Sequence, residues 1–60
     1  MAFKPIQIPN KMLSYGVHNN TLYIYAYNML LAEISDVSEK ELTSDLVEDV
    51  LLGMGYELST

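Results

Sequence analysis

The longest apolar stretch of the chain, Thr21 to Ile34, reads TLYIYAYNMLLAEI and fits two kinds of secondary structure. As a strand, it would place Leu22, Ile24 and Ala26 on one face and tyrosines on the other. As a helix beginning near Asn20 or Thr21, it would present two apolar faces. Because the run is too long for one ordinary strand, we favour the helix. One face of that helix would carry Leu22, Tyr25, Ala26, Met29 and Glu33, and the other Tyr23, Tyr27, Leu30 and Ile34.

The C-terminal part has the pattern of an amphipathic helix between residues 38 and 54. Ser38 and Glu41 have the spacing of a capping box, which predicts a helix start at Ser38. Apolar residues then recur every three to four positions, and Gly53 and Gly55 predict its C-terminal end. Because Ser44 or Asp45 could cap a second helix, one and two helices both remain open. YEL at 56 to 58 is compatible with a short strand.

The N-terminal part predicts extended and turn structure. FKPIQI at 3 to 8 reads as a short extended segment, and Pro5 and Pro9 restrict it to an edge because proline donates no ladder hydrogen bond. Asn10 to Tyr15 can form a helical turn, and HNN at 18 to 20 marks a turn.

These patterns predict one small domain over residues 1–60 that is mainly α. It would have a short N-terminal extended segment and two to three helices, in a small helical or winged-helix-like arrangement. The alternative is an α+β domain with a hairpin at 12–27 and a helix at 39–52. The two differ in the structure assigned to residues 21 to 27.

The small size and the apolar composition of the chain lead us to expect that it associates with another chain. A domain of 60 residues buries only about 60% of its unfolded surface, and without cysteine it has neither disulfides nor thiolate metal sites. One helix can cover only one side of a segment that is apolar on both sides. We therefore expect a homodimer or another protein as partner. The N-terminus lacks the apolar run of a signal peptide, and Leu22 to Ile34 is shorter than the ~20 residues of a membrane span, so we expect a cytoplasmic protein with no membrane partner.

Charge is distributed unevenly between the two halves of the chain. Residues 1–32 contain two lysines and no acid, giving +2, whereas residues 33–60 contain eight acids and one lysine, giving −7. An acidic surface repels phosphate backbones, so direct nucleic-acid binding is not expected for this small acidic protein.

No pattern of catalytic, cofactor-binding or metal-binding residues stands out, and we predict a non-enzymatic protein without cofactors. His18 reads as a turn residue in its Asn-rich context. Aromatic residues one helical turn apart are typical of interfaces, and adjacent acidic residues offer a charged surface. The predicted partner-binding residues are Tyr23, Tyr27, Leu30, Ile34, Glu48 and Asp49.

Three short motifs resemble the N-terminal winged-helix domain of plasmid and phage replication initiators, the replisome organisers. They are IPNKML at 8 to 13, LYIY at 22 to 25 and SEKEL at 38 to 42. The resemblance implies a helix-turn-helix-like scaffold in which LYIY lies on a helix. The segment that should read DNA, SDLVEDVLLGMG, carries Asp45, Glu48 and Asp49 and no Lys or Arg, which makes major-groove recognition doubtful.

The functional expectation is a regulatory protein that acts through protein binding. Its concrete form is a phage- or plasmid-encoded accessory factor in replication or transcription control. One alternative is a weak DNA-binding module that uses Lys4, Lys11 and the tyrosines. The other is an acidic inhibitor that mimics nucleic acid, with carboxylates in place of phosphates at Glu39, Glu41, Asp45, Glu48 and Asp49.

Overall fold

The computed structural model describes residues 4–59, which form two small sheets and one α-helix. The expectation of a mainly α, helical domain is therefore wrong, and the α+β alternative agrees with the structure. Two 3-10 turns, Asn10–Met12 and Glu39–Glu41, connect the regular elements. These are β1 (Ile6–Pro9), β2 (Leu13–His18), β3 (Thr21–Ala26), β4 (Met29–Ser35), α1 (Ser44–Gly53) and β5 (Tyr56–Ser59).

Strands β2, β3 and β4 form an antiparallel sheet joined by two-residue turns. At the first turn, Asn19 and Asn20 have φ angles of 52° and 58°. At the second, Tyr27 and Asn28 have φ angles of 53° and 62°. Both pairs thus lie in the left-handed region that two-residue hairpins require. The second turn divides the apolar stretch into two strands of ordinary length, so the helix favoured over residues 21 to 34 is wrong.

The inner face of this sheet supplies half of the hydrophobic core. Leu22, Ile24 and Ala26 alternate along β3 and are buried, whereas Tyr23 and Tyr25 point to the outer face. A bulge in β4 inserts one extra residue, Leu31, because Ile24 pairs with Ala32 while Tyr25 pairs with Leu30. The inner face packs on helix α1 through Leu22, Ile24, Ala32, Val37, Val47 and Leu51.

Helix α1 begins later than the capping-box pattern indicates. Ser38 makes no side-chain capping hydrogen bond, and the residues after it form a 3-10 turn. The cap is Thr43, whose hydroxyl oxygen accepts a hydrogen bond from the backbone N–H of Leu46 at 3.1 Å. Gly53 is helical, and Gly55, with φ 94°, provides the left-handed residue that ends the helix. The segment 38–54 therefore contains one α-helix.

Strands β1 and β5 pair in parallel, with Ile6 opposite Tyr56 and Ile8 opposite Leu58. The extended segment predicted at 3 to 8 is confirmed within the described residues, and Phe3 lies outside them. The strand suggested for YEL is also confirmed, as β5. Pro9 occupies the last position of β1, where its missing N–H interrupts no central ladder. None of the described helices is long and apolar enough to cross a bilayer.

Candidate association surface

Large apolar side chains lie exposed around the β3–β4 turn. Ile6 is 66% exposed, Tyr27 52%, Met29 60% and Leu30 49%. We call these four residues the hydrophobic end. Tyr27 is a turn residue, so its side chain does not follow the alternation of side chains along β3 or β4 and points outward. Exposed apolar side chains of this size in one place are typical of binding surfaces.

A small apolar cavity opens at the hydrophobic end, between β1 and the β3–β4 turn. Its volume is about 190 Å³. Ile8 and Ala26 form part of its wall and are 3% and 2% exposed, while Ile6, Tyr27 and Met29 line the same space. Ile8 and Ala26 lie outside the central core cluster. The cavity is therefore a separate apolar site that a single large side chain of a partner could occupy.

The backbone around this cavity is held by hydrogen bonds that cross between elements. The N–H of Tyr27 donates to the carbonyl oxygen of Met12 at 3.2 Å, which extends the β2–β3 pairing to the turn. The N–H of Ile6 donates to the carbonyl oxygen of Gly55 at 3.0 Å, which fixes the start of β1 beside β5. The cavity walls are consequently preformed, which reduces the entropy lost when a partner binds.

The structure brings only part of the predicted partner-binding set together. Tyr27 and Leu30 belong to the hydrophobic end, and Tyr23 lies half-buried on the outer sheet face between Gly16 and Glu33. Ile34 packs against the core. Tyr23, Tyr27, Leu30 and Ile34 would share one face of a helix, but they are distributed over β3, β4 and the turn between them, so they do not form one surface.

The two predicted carboxylates lie apart from the aromatic residues. Glu48 and Asp49 are exposed on helix α1, which covers the inner face of the three-stranded sheet. Their side of the molecule is therefore opposite the outer face that carries Tyr23. All eight acidic residues of the chain are exposed. Within residues 4–59, no three His, Asp or Glu side chains cluster as metal ligands.

A second, polar groove lies at the other end of the β2–β3 hairpin. It has a volume of about 650 Å³ and runs between the Asn19–Asn20 turn and the segment from Ser38 to Lys40. The carbonyl oxygen of Asn20 accepts a hydrogen bond from the N–H of Val37 at 2.9 Å, which ties the two walls together. The groove is open and bears Glu39 and Lys40 on one side.

Sequence reasoning missed Ile6 and Met29 as surface residues. Met29 was placed on a helix face with Leu22 and Ala26, but it follows a turn and is exposed. For Ile6, the neighbouring Pro5 was a usable signal, because proline marks the strand as an edge. Ile6 and Ile8 share one face of β1 and both line the cavity, but only Ile8 is buried, whereas Ile6 stands exposed at the first position of the strand.

Comparison with known proteins adds no relative: no protein-family model matches the chain, and neither the curated proteins nor the solved structures contain a match. The assignment of a function therefore rests on the geometry of the chain itself.

Proposed function

We propose that this protein is a non-enzymatic binding module that anchors another protein through the hydrophobic end. The cavity beside Ile8 and Ala26 receives one large apolar side chain of the partner, and Tyr27 and Met29 pack around it. The observation that carries this proposal is the coincidence of an apolar cavity with three exposed apolar residues on its rim. Interface anchors commonly have this form, a large side chain buried in a pocket at the centre of the contact.

The chemistry of the partner follows from the cavity. Its walls are almost entirely apolar, so an aliphatic or aromatic side chain fits and a charged one would be left without a hydrogen-bond partner.

Selection of a random-peptide display library against the folded chain tests the proposal. The selected peptides are expected to share one large apolar residue. Their binding is expected to fall at least tenfold when Met29 is changed to Lys, because Met29 lines the cavity and the charge must be desolvated beside the bound peptide.

The matched control is Leu52→Lys on helix α1. Met29 and Leu52 are 60% and 46% exposed, so the two substitutions place the same charge on exposed apolar residues, of which only Met29 lines the cavity. Equal loss of peptide binding in both variants, or selected peptides without a large apolar residue, would contradict a binding site at the hydrophobic end.

A second candidate function is an acidic inhibitor that mimics nucleic acid. The observation that favours it is the exposure of the acidic residues on and before helix α1. This candidate predicts salt-sensitive binding to a basic enzyme and loss of that binding when Glu48 and Asp49 are changed to Gln and Asn. Met29→Lys would leave such binding intact, which separates it from the first proposal.

The narrower role, an accessory factor of a phage or plasmid in replication or transcription control, is proposed from the motif resemblance alone. Its support is the order of IPNKML, LYIY and SEKEL along the chain. In the structure, LYIY lies on strand β3 and SEKEL at a 3-10 turn. Binding of a replication or transcription protein by the purified chain in a pull-down with defined components tests this role, and binding to none of them would count against it.

A further inference from the structure

Strand β2 carries hydrogen-bonding groups that residues 4–59 leave unused. It is an outer strand of its sheet and pairs with β3 alone. Next to a two-residue turn the flanking residues form a hydrogen-bonded pair, and the pairs then alternate. His18 therefore bonds with Thr21, whereas Tyr15 and Val17 turn their N–H and C=O groups away from β3. Neither residue makes another hydrogen bond among the described residues.

Strand β2 also lacks the features that keep sheet edges from pairing. Natural edges are protected by charges, prolines, bulges or short length. Strand β4 has its bulge at Leu31 and the charge of Glu33, β1 contains Pro9, and β5 is short and carries Glu57. The sequence of β2, LSYGVH, contains no Lys, Arg, Asp, Glu or Pro, and its pairing with β3 is regular. The Glu39–Glu41 turn contacts β2 and lines the open groove beside Val17. Apart from that contact, β2 has the fewest protections among the strand edges of residues 4–59.

We propose that β2 pairs antiparallel with β2 of a second copy of this chain, with Tyr15 opposite Tyr15 on the twofold axis. The outward N–H and C=O groups of the two Tyr15 residues then bond to each other. Leu13 of one copy lies opposite Val17 of the other, which gives the outward N–H of Val17 a carbonyl partner. On the outer face Ser14 meets Gly16, and the space beside the Gly16 Cα is open. Two three-stranded sheets thereby become one continuous sheet.

The same register brings opposite charges together beyond the strand ends. Lys11 lies in the Asn10–Met12 turn directly before β2, so this register brings it to the end of the contact where the Asn19–Asn20 turn of the other copy lies, and Glu39 lines the polar groove beside Asn19. Lys40 lines this groove as well, but Glu41 keeps the Glu39–Glu41 turn net negative. The basic part of each chain thus faces an acidic turn of the other, and the twofold axis repeats the contact. Pairing along an uncharged strand also avoids direct repulsion between two chains of net charge −5.

The exposure of Tyr15 is consistent with a second copy. Tyr15 lies at the centre of the proposed contact and is 39% exposed, so its side chain has surface to bury. The register is self-complementary, as a twofold contact between identical chains requires, and this favours a second copy as the occupant.

Sedimentation equilibrium of the intact chain over a concentration series, at low and at physiological salt, tests this dimer. Wild type is expected to show a monomer–dimer equilibrium. Ser14→Lys is expected to raise the dimer Kd about three- to fivefold, because two lysines then approach each other diagonally across the axis. The matched control Ser35→Lys adds the same charge to β4, the other outer strand of this sheet, and is expected to change Kd less than twofold.

Amide hydrogen exchange distinguishes this register from other dimers. The N–H groups of Tyr15 and Val17 are expected to be protected at concentrations above Kd and to exchange freely below it. The N–H of Gly16 faces β3 and should remain protected at both concentrations. A monomer at high micromolar concentration, equal effects of the two lysine variants, or concentration-independent exchange at Tyr15 would each overturn the proposal.

A charge-reversal cycle tests the electrostatic part of the register. Lys11→Glu alone is expected to weaken dimerisation, and Lys11→Glu combined with Glu39→Lys is expected to restore it. Failure of the double variant to recover would overturn the register centred on Tyr15. This proposal is independent of the peptide-binding function, because Met29→Lys should weaken peptide binding and leave the dimer intact.

Discussion

The backbone N–H of Val37 donates a hydrogen bond of 2.9 Å to the carbonyl oxygen of Asn20. This bond joins the first hairpin turn to the segment that follows β4, so the chain returns over the end of the sheet before it enters helix α1. Val37 is buried in the core cluster beside that bond. The backbone conformation of Asn20 therefore affects how Val37 packs into the core.

Substitutions that change the backbone preference of Asn20 test this coupling. Asn20→Val is expected to lower the free energy of unfolding by about 1–2 kcal/mol, because a β-branched residue is disfavoured at φ 58°. Asn20→Gly, the matched control, should leave stability unchanged or raise it slightly. Urea denaturation measures both, and equal stability of the two variants would contradict the turn.

The cap of helix α1 makes a second prediction. Thr43→Ala removes the oxygen that accepts from Leu46 N–H and should destabilise the protein by about 1 kcal/mol. Thr43→Ser keeps an accepting hydroxyl and should cost much less. A loss caused instead by Ser38→Ala, with Thr43→Ala neutral, would indicate that the helix starts at Ser38 after all.

Two neighbouring leucines of helix α1 differ in burial: Leu51 lies in the core and Leu52 lies on the surface. Leu51 is fully buried, and its change to Ala should cost about 2–5 kcal/mol through lost burial and the cavity left behind. Leu52→Ala is the matched control, and it should cost about 1 kcal/mol or less because this side chain is 46% exposed. Thermal or urea unfolding gives both values. Similar losses would contradict the orientation of the helix.

The second turn offers a stabilising change. Tyr27 has φ 53°, an unusual conformation for an aromatic residue. Replacing Tyr27–Asn28 with Asn-Gly, the preferred pair for this turn, should raise the free energy of unfolding by about 1 kcal/mol. The same variant removes the Tyr27 ring from the hydrophobic end and should weaken peptide binding. A less stable protein would show that the ring supports the fold rather than the binding surface.

The fold could be predicted from the sequence only where local pattern and tertiary packing agree. The periodicity of Leu46, Val47, Val50 and Leu51 identified the C-terminal helix, and the prolines identified an N-terminal edge strand. The helix start was misplaced because Ser38 and Glu41 satisfy the capping pattern while forming a 3-10 turn. Thr43, which carries the actual cap, has no such pattern around it.

The misassignment of residues 21 to 34 has a specific physical cause. Tyr27 and Asn28 lack the glycine that usually marks a two-residue turn, so the stretch reads as continuous. Without the turn its length argues for a helix, although the alternation of Leu22, Ile24 and Ala26 was visible. The cavity was not predictable, because it depends on the parallel pairing of β1 with β5 from opposite ends of the chain.

The central claim is that the hydrophobic end anchors an apolar side chain of a partner protein. The most direct measurement is a methyl NMR titration of the labelled chain with a display-selected peptide. The account predicts saturable shifts at Ile6, Ile8 and Met29, and little change at the methyls of Leu52. Shifts confined to helix α1, with the methyls of the cavity unaffected, would contradict it.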